Sequence, residues 1–553
     1  MNRKLPVVLL LLIVVASVLP IAFGQPSASS SAPSWLPLAV RQALSSPLLP
    51  NILFGKPPAV LPQTTVALDI NGVTATYFPG GPVTTANNAF FQSLGSNGRT
   101  CFTCHQPQNN WSISPGTIAV VYATTLGRDP LFAPIDGANC PDSGSANSKF
   151  GAKFVQARSQ LFVHGNIRIG LPVPASPEWA SVTVSSDPTG CEKNNTYGLP
   201  AGMLSFYRRP LPATNVIYTT PGVALGPFPP APNIMWDTRE PSLASQFVDA
   251  TMVHGQTSVV PTADQVNQGV SFQSGSFTAQ SYDYVAQDLT GADGSGATGG
   301  GNNLFVFSNR VPYFGPFGLF GGGCSQPVQP CPGSLFPSTT IPGDFDETRL
   351  FGAFASQSGS SAAVARRQSI ARGEVLFNTR QFDITGVTGL NDLPGFGGDH
   401  IVGTCSRCHN NANVGNDAFD DPKHLGVSDN SYLDPRQSPT LSSTLPLSPD
   451  MPIFTFLCPA GSISYFSNPV VVNGITYDLF QTSDPGVGWI TGKCNDLGKF
   501  KVSSLRGIGA RPPFFHGGQA ATMRDVILFY NVRFNMNLSE QEIEDLTNFM
   551  NAQ

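Results

Sequence analysis

Charge is scarce in this 553-residue chain: Asp, Glu, Lys and Arg make up 12% of it, and the formal net charge is −5. A nucleic-acid partner calls for a concentrated basic face, so this sparse and slightly acidic balance argues against one. Histidine is limited to 7 residues and Met to 8, which keeps the number of potential metal ligands small. Beyond the first two dozen residues no stretch is apolar enough to cross a bilayer, so no transmembrane span is expected after processing. Gly (56) and Pro (50), by contrast, are plentiful, which predicts long ordered loops between few regular elements.

The N-terminus explains the one apolar run. Arg3 and Lys4 form a basic start, Leu5 to Pro20 an apolar core, and Ala22-Phe23-Gly24 a small-residue cleavage site. Residues 1–24 therefore read as a cleavable signal peptide, and the mature protein is expected in the periplasm or secreted. Residues 25–83 follow as a leader and arm.

Ten cysteines are present, and four of them fall in two short strings, Cys101-Phe-Thr-Cys104-His105 and Cys405-Ser-Arg-Cys408-His409. With so few Cys and His, about 0.002 accidental C-x-x-C-H matches are expected, so two are strongly informative. The string is the attachment site of a c-type haem: the two thiols bond the porphyrin vinyl groups and the adjacent His ligates the iron. A zinc or redox C-x-x-C is the competing reading, but a zinc site needs a second pair of soft ligands, and neither string has one nearby. Two covalently attached haems c are expected, with His105 and His409 as iron ligands. The six other cysteines of an exported chain suggest disulfides, for which proximity favours 140–191, 324–331 and 458–494.

The expected fold is mainly α: two cytochrome c-like domains with long loops and some β-hairpin insertions. The N-terminal haem domain would span 84–265 with an insertion, a Gly-rich connecting region 266–360, and the C-terminal haem domain 361–553. A short helix is expected from Thr84, another over Gln368–Phe377, and a third after the capping box Ser539-x-x-Glu542. Val120-Val121-Tyr122 and Leu161-Phe162-Val163 read as strands.

What a haem does depends on the sixth position of its iron. Outside the motifs the ligand candidates are His164, His254, His400, His424 and His516, with Tyr530, Met523 and Met536 near the C-terminus. The spacing of further segments narrows the field. Met235-Trp236-Asp237-Thr238-Arg239 with Ser242-Leu243 and Gln246, then Ala371-Arg-Gly-Glu-Val-Leu-Phe377, then Lys501-Val-Ser-Ser-Leu505-Arg506-Gly and Pro513-Phe-Phe-His516-Gly-Gly together resemble the bacterial dihaem cytochrome c peroxidase and MauG-type family. The resemblance is good over 360–553, patchy over 86–256 and absent between.

That resemblance implies roles. Trp236 would assist electrons between the haems, Gln246 would belong to the same reactive region, the His105 haem would be reactive and the His409 haem would receive electrons. Tyr530 falls where the family places the second axial ligand of the C-terminal haem, and Arg506 would pair with a haem propionate. Two departures stand out. The family's reactive-side Glu aligns with Gln256, which cannot take up a proton, whereas the nearby His254 can. The family's inter-haem calcium uses an Asn side chain, but Pro210 stands in that place, so the sequence leaves calcium open. The expected function is an exported dihaem oxidoreductase, peroxidase-like, served by a small redox-protein donor and acting on peroxide or another oxidisable substrate. A non-enzymatic electron-transfer cytochrome, and MauG- or rubber-oxygenase-like oxidation of a protein or organic substrate, stand beside it.

Overall fold

The computed structural model describes residues 56–140, 145–191, 202–218, 234–310, 350–393, 397–409, 414–415, 422–430 and 450–553. The expected signal peptide and Cys324 and Cys331 lie outside the described residues.

Among the described residues the fold is mixed rather than mainly α: helix accounts for 34% and strand for 20%. Among the described residues the strands form six small antiparallel sheets. The reason is legible in individual strands. In Ile453–Pro459 burial alternates, so Phe454, Phe456 and Cys458 point inward and Thr455 and Leu457 are half-buried. Alternation with period two suits a pleated strand covered on one face. This strand pairs with Ile475–Thr482 on one side and with Ser181–Ser186 on the other, and Pro469–Val472 completes the four-stranded sheet. An aromatic core of Trp179, Phe206, Phe454, Phe456, Phe480 and Trp489 lies beneath it. Disulfides join Cys458 to Cys494 and Cys140 to Cys191. A second four-stranded sheet runs Thr64–Leu68, Gly72–Tyr77, Phe277–Asp283, Gln287–Asp288.

Two segments expected as strands are helical. Val120–Tyr122 lies inside the helix Pro115–Thr125, and Leu161–Val163 inside Ser159–His164. Pro115 occupies the first helical turn, where its missing N–H costs nothing, and Ile118, Val121 and Leu161 pack into one core with Phe132 and Phe154. Tertiary burial thus outweighs the modest strand preference of β-branched residues. The segment after Thr84 forms two short 3₁₀ turns, Thr85–Asn87 and Ala89–Phe91, instead of a helix.

The C-terminal half follows its helical periodicity. Gln368–Phe377 lies in the longer helix Ala362–Thr379. The capping box closes at the start of Glu540–Ala552: Ser539 N donates to Glu542 at 2.8 Å, and Glu542 N donates to Ser539 Oγ at 3.3 Å. These two helices touch at Gly373, where a Cβ would stand 2.0 Å from the Asp545 carbonyl oxygen. Beside it Arg372 pairs with Asp545. The helix Met523–Arg533 completes a large apolar core with both of them.

Candidate functional site

Each C-x-x-C-H string forms one tight turn. Cys101–Cys104 is a single helical turn that Thr100 caps reciprocally with Thr103, and the chain leaves it at His105. Nδ1 of His105 lies 2.8 Å from the Trp111 carbonyl oxygen. A carbonyl only accepts, so Nδ1 carries the hydrogen and Nε2 keeps its lone pair. Trp111 is fully buried and is itself held by a 2.7 Å bond from Nε1 to Thr76 Oγ1. The second string repeats the arrangement: Cys405–Arg407 is a 3₁₀ turn, and His409 Nδ1 lies 3.2 Å from the Val414 carbonyl.

Burial controls the chemistry of both strings. It pushes the Cys101 thiol up to about 12, Cys104 up to about 11 and Cys405 up to about 12, and it lowers His105 and His409 to about 4. Among the described residues there is no cluster of three or more His, Cys, Asp or Glu placed to hold a metal ion.

Two cavities open against the two strings. The first, about 1500 Å³ counted out into open solvent, has Cys101, Cys104 and His105 in its wall, with Gln246, Phe247 and His254 from the helix Leu243–Val253 and its C-terminal end. The second, about 1380 Å³ counted in the same way, is walled by Cys405, Cys408, His409, Tyr530 and His516, with Met536, Leu546 and Met550 among its apolar groups. Trp236 and Lys501 line both. They are joined directly, since Lys501 N donates to the Trp236 carbonyl at 2.9 Å.

A buried charge cluster fixes the Trp236 segment. Asp237 is fully buried and pairs with Arg208 and, at 3.0 Å, with Arg239; Arg208 also pairs with Asp484. Burial alone would raise the Asp237 pKa, but the two guanidinium groups outweigh it and hold the carboxylate below its ordinary range. The Trp236 indole Nε1 donates to the Arg209 carbonyl at 2.7 Å.

His254 is held by a residue the sequence reading did not single out. Its Nδ1 lies 2.9 Å from Asp136 Oδ2, and that oxygen also accepts from Arg99 Nη1 at 3.2 Å. A carboxylate oxygen accepts here, so Nδ1 donates this bond and Nε2 is the nitrogen turned away from Asp136. Asp136 sits in a break in the chain with φ of 61°, and 118 positions separate it from His254, so no local pattern announces the pair. Tyr530 lines the second cavity. Burial, and then the Cys408 and Cys405 thiols, raise its phenol above the ordinary value.

His516 is stacked on Phe500, ring centroids 3.7 Å apart, and meets Trp236 edge-on at 6.2 Å. Its Nε2 is buried without a hydrogen-bond partner, and burial lowers its pKa to about 4.

Other candidates lie elsewhere. Arg506 lines neither cavity: its Nη1 donates to Gln553 Oε1 at 2.7 Å, and the basic side chains of the walls are Arg99, Arg208, Arg209, Arg239, Lys423 and Lys501. Gln256 is outside the first cavity's wall, and its carbonyl accepts from Ser96. His164, His400 and His424 pair with Asp450, Asp383 and Asp429 and line neither cavity. Met523 packs in the core.

No family model matches the chain. An alignment of 92 residues is 33% identical to Cytochrome-c peroxidase IdrP1 of Denitromonas iodatirespirans. It covers 14% of this chain and 24% of that protein, which supports a distant peroxidase-like relationship. No helix among the described residues is long and apolar enough to cross a membrane.

Proposed function

We propose that the chain is an exported dihaem oxidoreductase of the cytochrome c peroxidase kind, with one haem c attached at Cys101 and Cys104 and the other at Cys405 and Cys408. One observation carries this reading: each C-x-x-C-H string faces its own cavity, and the two cavities share Trp236. The residues present suit the group. In each string two thiols and an imidazole line an apolar-walled space, and the carbonyl behind His105 fixes which of its nitrogens is offered. Arg239 and Lys501 bring positive charge to the walls, suited to haem carboxylates. Haem iron, when bound, supplies reversible one-electron chemistry and a site for peroxide.

The chain's own residues divide the remaining work. His254, in the wall of the first cavity, would move a proton at Nε2 from one oxygen of a peroxide substrate to the oxygen that leaves as water, work worth about 10²–10⁴ in rate. Asp136 keeps that nitrogen available and stabilises the imidazolium that forms. Tyr530 and His409, both in the wall of the second cavity, would hold the iron there. Trp236 places an indole between the two spaces. A small redox protein would deliver electrons on the His409 side.

The test is turnover of hydrogen peroxide by the purified exported protein with a reduced small cytochrome as donor, alongside the resting optical and EPR spectra. A high-spin or ligand-accessible population with peroxide-dependent donor oxidation is expected. Two wholly low-spin centres and no turnover would make the protein an electron carrier instead.

A further inference from the structure

Arg209 is buried, at 4% exposure, in the wall of the first cavity, and its backbone is bonded to His516 and Trp236 of the second. Every polar part of its backbone is used by one cavity's wall or by the shared Trp236: its N donates to the His516 carbonyl at 2.7 Å, and its carbonyl accepts from Trp236 Nε1. The guanidinium reaches a ring of backbone carbonyls from two distant segments. Nη1 donates to Arg511 O at 2.6 Å and to Pro513 O, and Nη2 donates to Ile113 O at 2.5 Å and reaches Pro512 O at 3.5 Å. Among the described residues no carboxylate pairs with it. Burial and the neighbouring Arg511 push its pKa down to about 9, which leaves it cationic at neutral pH.

A buried cation without a counter-ion is costly unless oxygens replace its water. Several carbonyl oxygens converging on one point are also what a hard divalent cation uses, and calcium asks for six to eight oxygens. Calcium does not fit here. The carbonyls of 511–513 already accept from a guanidinium, the neighbouring position is Pro210, which offers no side-chain oxygen, the nearby Asp237 and Asp484 are taken by Arg208, and among the described residues no group of three or more His, Cys, Asp or Glu could hold a metal ion.

We infer that Arg209 is the resident cation of the junction, filling the carbonyl ring that a bridging calcium ion would otherwise need and holding Trp236 in place without any metal. The consequence is structural and direct. Ile113 lies two residues beyond Trp111, whose carbonyl orients His105, and Pro513 lies three before His516 of the second cavity. One side chain therefore ties the segment behind His105 to the segment that carries His516 into the second cavity. Arg209 is a positioning residue, and the electron-transfer arm of its test rests on the dihaem reading.

Calcium chloride titrated calorimetrically into the chelator-treated holoprotein tests the inference, with melting and near-ultraviolet circular dichroism followed beside it. No binding heat and no change in either signal on chelation are expected. Arg209→Ala should alter the tryptophan dichroism and slow transfer between the two centres roughly tenfold or more, with recovery in low-millimolar guanidinium chloride but not in sodium chloride. Arg209→Lys, which keeps the charge and loses the fork, should fall between, and it serves if the Ala variant does not fold. Stoichiometric calcium binding by the wild type, with loss of transfer on chelation, overturns the inference. So do unaltered dichroism and unaltered transfer in the Ala variant. Absence of covalent haem by mass would sink the dihaem reading alone, because the calcium titration and the dichroism still report on Arg209.

Discussion

The indole Nε1 of Trp236 donates a 2.7 Å hydrogen bond to the carbonyl of Arg209, and through it Trp236 is fixed where both cavities meet. If that indole serves passage between two redox centres, Trp236→Phe should slow transfer roughly tenfold while each centre keeps its spectrum. Flash or stopped-flow reduction with separate observation of the two centres measures this. Unchanged kinetics would leave Trp236 as a packing residue.

Covalent attachment is checked by intact mass. The purified protein should exceed the mass of its polypeptide by two haems, and the added mass should survive acid and organic solvent. Cys405→Ala should lose one haem and keep the other. A protein carrying no added mass refutes the assignment of both strings.

His254 and Asp136 act as a pair. His254→Ala should reduce peroxide turnover by about 10²–10⁴ without changing the resting spectrum. Asp136→Asn replaces an acceptor with a group that can donate to Nδ1, moving the hydrogen toward Nε2, and should cost about 10–100-fold. A switch from low to high spin in His254→Ala would show instead that this imidazole occupies the iron.

His516 gives stability a dependence on pH. Its pKa is lowered from the ordinary 6.5 to about 4 because burial disfavours the imidazolium. The unfolded chain therefore binds the proton more readily. The neutral ring's contribution is fully present above about pH 6.5 and is lost as pH falls toward 4, on the order of 3 kcal/mol. His516→Phe should flatten the melting temperature between pH 4 and 6.5 relative to the parent. An identical slope in both proteins would place the acid sensitivity elsewhere.

Gly373 decides how closely two helices approach. Replacing it with Ala gains about 1 kcal/mol of helix propensity. The new methyl, however, would meet the Asp545 carbonyl at 2.0 Å, and backbone cannot rotate away. Overpacking of this kind costs about 1–3 kcal/mol, so the net effect should be destabilising. Urea unfolding of Gly373→Ala with a midpoint equal to or above the parent's would contradict this packing.

Local chemistry made some of the molecule readable from the chain alone. The two C-x-x-C-H strings, the Ser539–Glu542 cap and the helix through Phe377 all depend on residues within a few positions of each other, and the sequence determined them. Short separation also served the 140–191 and 458–494 disulfides. The mixed fold was not readable in this way. Ser181–Ser186 becomes a strand beside Ile453–Pro459 through pairing across more than 260 positions, while Val120–Tyr122 turns helical because Ile118 and Val121 are buried together. The site divides along the same line. Which residues can bond a porphyrin is a matter of residue type and spacing. That Asp136 orients His254, that Arg209 fills the carbonyl ring, and that Arg506 turns to Gln553 instead of a cavity were decided only by the tertiary structure, because burial and the direction of a hydrogen bond are properties of the packed chain.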